Sequence, residues 1–205
     1  MESPPSPFQT PQQRSSARQA KRDAVLRAAV QMFNERGFHQ TSLDDVAARL
    51  GVSKPTIYHY LGNKDQVLFE CVTIGLSQLL EAAEASRQRP GQGIDRLIAF
   101  LTRYAEINMD DFGRCVVRTS DEALSPESRQ QFHALKRQID SAMRQLIRDG
   151  IEDGSIAPVD PKMLAFALAG ALNWPARWHN PQGAETPATI AADLVHVLAG
   201  GFRPR

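Results

Sequence analysis

The segment Thr41-Ser-Leu-Asp-Asp-Val-Ala-Ala-Arg-Leu-Gly-Val-Ser-Lys-Pro-Thr-Ile-Tyr-His-Tyr60 decides how the rest of the chain is read. Leu43, Val46, Ala47 and Leu50 recur at the three- and four-residue spacing of one helix face. Thr41 followed by Asp44 resembles a capping box at its start, and Asp44 and Asp45 suit the positive end of a helix. Gly51 ends that helix, and Val52 follows as an apolar plug. Ser53 is placed to cap a second short helix whose first turn holds Pro55, a position where a missing N–H costs nothing. A short helix, a glycine-centred turn and a second short helix, with Ala47, Gly51, Val52 and Ile57 small or apolar where the two must cross, make a helix-turn-helix.

The second helix has an unusual outer face. Ile57 and Tyr60 point inward by spacing, which turns Lys54, Pro55, Thr56, Tyr58 and His59 outward. A methyl, hydroxyls, an imidazole and a cation side by side can contact thymine methyls, base edges and phosphates, although each alone could be ordinary surface. Lys64 opens the next helix, where a cation opposes the helix dipole, and a phosphate partner would account for it. Thr41 and Ser42, at a helix N-terminus, suit a further phosphate. Arg18, Lys21 and Arg22 precede the motif at the start of a helix over 17–36, positioned for backbone or minor-groove contacts. In that helix Val25, Ala28, Ala29, Met32 and Phe33 form the apolar stripe, Gly37 ends it, and Phe38 folds back on its end.

Charge supports a polyanionic partner for this part of the chain. Residues 14–64 hold nine Lys/Arg against four acids, whereas 65–205 hold fifteen against eighteen. The first segment suits a polyanion and the remainder does not. Residues 1–16, rich in Pro, Ser and Gln, are expected to be disordered. Domains are therefore expected at 17–63 for DNA reading and 64–205 for a second helical body. Within the latter, helices are expected over about 64–87, 94–108, 114–123, 126–149, 160–179 and 187–201, with Pro175 kinking the one that contains it. Alternating β-branched runs are scarce, so the fold class is all-α.

No run approaches the roughly 18 apolar residues of a membrane span, and the first residues do not read as a secretory signal. Cys71 and Cys115 stand apart from each other and from any histidine at zinc spacing, so neither a disulfide framework nor a metal site is expected, and no cofactor is called for. A reducing cytoplasm is the simplest setting. A nucleophile elbow, a His-Glu-x-x-His pair and a Gly-rich phosphate loop are all missing, which argues against an enzyme. A helical partner protein that does not read DNA is a further alternative, and the sign of regulation stays open.

From about Arg22 to Leu68, with Leu61 in place of a more usual Phe, the chain resembles the N-terminal domain of the tetracycline-repressor (TetR) family. The resemblance implies an all-helical homodimer: a three-helix N-terminal helix-turn-helix domain on double-stranded operator DNA, and a C-terminal helical bundle for dimerisation and for a small-molecule effector. Asn173-Trp-Pro-Ala-Arg-Trp-His-Asn-Pro-Gln-Gly183 and its surroundings, about 160–202, are similar to a subgroup that answers to acyl-CoA or related thioesters in lipid and sterol breakdown. Candidate effector contacts are Phe100, Tyr104, Met109, Phe112, Arg118, Trp174, Arg177 and Trp178, each of which could equally be core or surface. The apolar faces Leu164/Leu168/Leu172 and Ile190/Leu194/Val197/Leu198 are candidates for the dimer interface.

Overall fold

The computed structural model describes residues 11–204, and these divide into two compact units, the first ending at Val67 and the second beginning at Leu68. The division falls inside a helix rather than at residue 63. Among the described residues every regular element is helical.

The first unit contains α1 (Pro11–Arg36), α2 (Leu43–Leu50), α3 (Lys54–Leu61) and the first turn of α4 (Lys64–Arg87). Its core holds the stripe expected from α1, Val25, Ala28, Ala29, Met32 and Phe33, joined by Leu26 and Val30, together with Leu43, Val46, Ala47, Ile57 and Leu61. Phe38 meets Phe33 edge-on, with ring centroids 5.4 Å apart, and closes the end of α1. The sharp corner between α2 and α3 depends on Gly51, whose φ of 65° is left-handed. Its N–H bonds back to the Ala48 carbonyl at 3.2 Å and that of Val52 to Ala47 at 3.1 Å, so the last carbonyls of α2 are not orphaned.

Three local expectations are corrected. Residues 1–10 of the tail lie outside the described residues, but 11–16 are helical, so α1 starts at Pro11 rather than Ala17. Proline is tolerated in a first turn and Gln and Arg are good helix formers, while Gln12, Gln13, Ser15 and Ser16 stay exposed and leave no apolar stripe to reveal the helix. Val52 is 39% exposed and plugs nothing. The cap of α2 is Ser42, not Thr41: its hydroxyl accepts from Asp45 N while the Asp45 carboxylate accepts from Ser42 N, a reciprocal box one residue along from the expected one.

The second unit holds the rest of α4 with α5 (Gly93–Met109), α6 (Asp111–Arg118), a 3₁₀ turn at Asp121–Ala123, α7 (Pro126–Glu152), α8 (Pro161–Asn173), α9 (Pro175–Trp178) and α10 (Pro187–Ala199). Helix α5 is its axis, packing against α6, α7, α8 and α10. Phe100, Leu97 and Leu101 on α5 are fully buried, as are Phe132, Leu146 and Ile147 on α7. At one end α5 and α7 touch backbone to backbone: a Cβ on Gly93 would run into the Cα and N of Gly150. There the Asp153 carboxylate accepts from Gly93 N at 2.6 Å and Ser155 Oγ from Ile94 N at 3.0 Å, capping the start of α5. Pro175 does more than kink its helix. Helix α8 ends at Asn173, and Pro175 restarts the chain as the single turn α9.

Candidate functional site

The outer face of α3 is as open as its pattern requires. Ile57 is fully buried and Leu61 nearly so, while Ser53, Lys54, Pro55, Tyr58 and His59 are exposed and Thr56 is half-buried. Tyr60 is half-buried, so the inward anchors are Ile57 and Leu61. Two of the outward groups already have protein partners. Ser53 Oγ and Thr56 Oγ1 share a hydrogen bond at 2.8 Å, and Lys54 Nζ donates to Asp44 Oδ2 at 2.7 Å. The Asp44 carboxylate holds the Lys54 ammonium above its ordinary pKa, chiefly through that hydrogen bond. Both side chains are well exposed, so the pair is worth little and Lys54 can exchange it for a phosphate at small cost.

Beside α3 lies a cleft of about 460 Å³, whose walls include His39, Gln40, Ser42, Tyr58, Asn63 and Lys64. Lys64 sits over the Phe38 ring at 4.2 Å from its centroid, and burial lowers its pKa. At Ser42 both donors are engaged by Asp45, the backbone N–H at 2.8 Å and the hydroxyl at 2.6 Å. These bonds hold the Asp45 carboxyl below its ordinary value. A phosphate at this helix start therefore meets the first-turn N–H groups that follow Ser42 rather than its side chain.

In the second unit a cavity of about 460 Å³ opens between α4, α5, α6, α7 and α8. Leu76, Leu79, Val116, Ile139, Met143 and Ala165 supply its apolar wall. Tyr104, Asn108 and Asn173 form a polar cluster in it, with Tyr104 Oη and Asn108 Nδ2 both donating to Asn173 Oδ1, at 2.9 and 2.8 Å. Burial raises the Tyr104 pKa. Lys136, Arg137, Asp140 and Arg144 stand along the α7 side, where Arg144 is paired to Asp140 at 2.6 Å. A chamber of this size with apolar walls and a few convergent polar groups is the form of a small-molecule site.

Two family models match the chain: "Tetracyclin repressor-like, C-terminal domain" over residues 90–202, and "Bacterial regulatory proteins, tetR family" over residues 25–71. The chain belongs to the TetR family. It is 26% identical over 196 residues to the HTH-type transcriptional repressor KstR2 of Rhodococcus jostii (strain RHA1), covering 92% of this chain and 94% of that protein. Among solved structures it is similar to the TetR-family regulator PfmR of Thermus thermophilus, at TM-score 0.78 and 28% identity over 86% of this chain and 97% of the other. It is also similar to AibR in complex with isovaleryl coenzyme A and operator DNA, at TM-score 0.75 and 25% identity, again over 86% and 97%. These relatives are transcriptional regulators, not enzymes, and the all-helical architecture expected from the sequence is the one the chain has. TetR regulators bind operator DNA as dimers and respond to small-molecule effectors.

Within this TetR-family frame several expected site residues change role. Thr41 is buried, and its hydroxyl donates to Gly37 O at 2.9 Å and lies 3.3 Å from Met32 O, so that group ties α2 to the end of α1 even though the residue also borders the cleft by α3. Arg18 and Lys21 are exposed and Arg22 half-buried, but they lie inside α1 rather than at its start. His39, Gln40 and Asn63, in the wall of the cleft by α3, were not anticipated. Their only signal is position, since they flank α2 and α4 where unpaired N–H groups gather.

Of the expected effector contacts only Tyr104 lines the cavity bounded by α4 to α8. Phe100 and Phe112 are core, and Met109, also buried, borders a separate cleft with His179. Arg118, Trp174, Arg177 and Trp178 are exposed and are not part of the cavity wall. The expected dimer faces are also partly internal. Leu168, Leu172 and Ile190 are buried within their own unit, Leu164, Leu194 and Leu198 are half-buried, and only Val197 is open, at 74% exposure. The unit instead exposes Met163, Phe166, Trp174 and Trp178. Among the described residues no group of His, Cys, Asp and Glu is arranged to hold a metal, and no helix is long and apolar enough to cross a membrane.

Proposed function

We propose that this chain is a ligand-responsive repressor that binds a pseudo-palindromic operator as a homodimer and releases it on taking up an acyl-CoA or related thioester. The observation that carries the DNA half is the outer face of α3, where Lys54, Pro55, Tyr58 and His59 are open while Ile57 and Leu61 anchor the helix from behind. In this reading Tyr58, His59 and Thr56 meet base edges. Ser53, Lys54, Lys64 and the first-turn N–H groups that follow Ser42 meet phosphates, and Arg18, Lys21 and Arg22 on α1 add backbone contacts. Two copies of α3, one per protomer, would enter successive major grooves about 34–36 Å apart. The partner protomer would dock on the apolar residues left open around α8 to α10, among them Met163, Trp174, Trp178 and Val197. A regulator that reads chromosomal DNA works in the cytoplasm.

The effector half rests on the cavity and on the likeness to AibR with isovaleryl coenzyme A. The apolar wall suits an acyl body, and Lys136 and Arg137 at the α7 side suit an anionic end. Helix α4 offers a mechanical link, since Lys64 is its first residue and Leu76 and Leu79 belong to the cavity wall. A ligand shifts the equilibrium only by its difference in affinity for the DNA-competent and incompetent states.

The test is fluorescence anisotropy with DNA from the chain's own genomic neighbourhood, titrated over a range of salt with and without acyl-CoA esters. The affinity of the native protein should fall with salt at a log–log slope of about −0.9 per neutralised phosphate. Lys64→Ala should reduce that slope by about 1, and adding Tyr58→Ala should weaken binding further at every salt concentration. Undiminished binding by the folded double variant would remove the recognition assignment.

A further inference from the structure

We infer that the cavity selects an effector bearing a carbonyl group, and that Asn173 reads it by donating a hydrogen bond from Nδ2. The inference rests on the proposal that this cavity holds the effector, and goes further by naming a group the effector carries and the residue that meets it. Ala165, Ala169 and Asn173 stand four residues apart on α8 and all three belong to the cavity wall, so Asn173 ends a row that faces the chamber. Two donors from α5, Tyr104 Oη at 2.9 Å and Asn108 Nδ2 at 2.8 Å, converge on Asn173 Oδ1. Both lone pairs of that oxygen are then occupied, and the planar amide is held with Nδ2 turned away from the two donors. Nδ2 itself meets no acceptor among the described residues, and the protein does not enclose it, since Asn173 is only half-buried. An amide donor that is fixed in direction, open and unpaired in a chamber wall is a place for a ligand's acceptor.

The other polar groups of the wall are engaged, enclosed or charged. Asn108 Oδ1 is unpaired too, but it is sealed inside the protein, out of a ligand's reach. The Tyr104 proton and an Asn108 N–H are spent on Asn173, and the Thr119 hydroxyl donates to Cys115 O at 2.7 Å. Arg144 is held by Asp140, and Lys136 and Arg137 are cations on the α7 side that suit an anionic end. Asn173 Nδ2 is thus the neutral donor that this wall offers. An apolar body packed against it strips its hydration and gives no bond in return, which costs more than a bond there would gain. A carbonyl oxygen satisfies it. In an acyl-CoA that oxygen has two sources, the thioester itself or a keto group on the acyl body.

The two sources are separated by choice of probe. S-octyl-CoA (a thioether), octanoyl-CoA and 3-oxooctanoyl-CoA share the nucleotide and pantetheine and differ only in their carbonyls. Calorimetric titration of the native full-length chain should find both esters bound about tenfold more tightly than the thioether if the thioester oxygen is read. If the keto oxygen is read, the thioether and octanoyl-CoA bind alike and the 3-oxo ester about tenfold more tightly than either. Asn173→Asp keeps an acceptor for Tyr104 and Asn108 but turns an oxygen, not an N–H, toward the ligand. Its charge bears on all three probes through the parts they share, so the ratio between them isolates the carbonyl, and in this variant the tenfold preference should vanish or reverse. Equal binding of the three by the native protein, or a preference that survives in folded Asn173→Asp, would overturn the inference and leave the effector proposal standing. Failure of all three to bind would remove both. The comparison of probes on the native protein can overturn the inference even if the variant does not fold.

Discussion

Thr41 and Tyr58 separate the two ways a residue of the first unit can matter, and substituting each predicts opposite results in two assays. Thr41 is 1% exposed, and its hydroxyl is bonded to Gly37 O at 2.9 Å with Met32 O at 3.3 Å. Valine fills the same volume without the hydroxyl, so Thr41→Val leaves no cavity but deprives those carbonyls of their donor. Losing one such buried bond costs about 1–2 kcal/mol. Tyr58 is 51% exposed, and Gly62 is held through the Tyr58 backbone carbonyl, which substitution does not touch. Tyr58→Ala should therefore change stability by no more than about 0.5 kcal/mol, while the loss of a base contact costs about 1–3 kcal/mol of binding.

Tryptophan fluorescence cannot report this, because Trp174 and Trp178 both lie in the second unit. Amide hydrogen exchange over α1 to α3 can. Thr41→Val should speed the slowest amides there by roughly five- to thirtyfold at unchanged operator affinity, measured where the protein is fully folded. Tyr58→Ala should do the reverse, leaving exchange alone and weakening operator binding about tenfold or more. If Thr41→Val weakened operator binding as much as Tyr58→Ala without faster exchange, Thr41 would be a DNA contact, and the account of α1 to α3 given above would fail.

Two further outcomes follow from the second unit. Val197→Glu places a charge on a residue 74% exposed on α10, and should convert the dimer to a folded monomer in analytical ultracentrifugation while weakening operator binding; a dimer of unchanged affinity would move the interface elsewhere. His179 is 7% exposed, with Nδ1 3.0 Å from Arg114 Nη2, and burial first, then the Arg114 charge, lowers its pKa below 6.5. The unfolded chain then binds the proton more readily, so stability present above about pH 6.5 is lost as pH falls through 6.5 toward the folded value. His179→Gln should flatten denaturant midpoints across that window, and an unchanged pH dependence would contradict the assignment.

The first unit was more legible than the second for a physical reason. In α2 and α3 most side chains belong either to a small shared core or to solvent, so periodicity separates Ile57 from Lys54, Tyr58 and His59 directly, although it points to Tyr60 rather than Leu61 as the second anchor. The misplaced details there are ones periodicity does not encode. Thr41 and Ser42 are chemically equivalent caps until Asp45, rather than Asp44, is seen to close the box. Residues 11–16 have no apolar side to mark their helix.

The second unit posed a different problem, because an apolar stripe shows that a face is covered but not by what. Leu168, Leu172 and Ile190 read as an interface between protomers because they share a helix face with residues that suit one, yet their own unit already covers them. Phe100 and Phe112 read as ligand contacts because large apolar groups line pockets, yet they also fill cores. The residue that distinguishes cavity from core is polar. Asn108 lies one helical turn beyond Tyr104 on α5, among residues that are otherwise almost all apolar when buried, and it stays without a partner for Oδ1. The outward polar face of α3 is legible in the sequence because periodicity marks it, whereas no pattern separates Tyr104, Asn108 and Asn173 in the cavity wall from the buried residues around them.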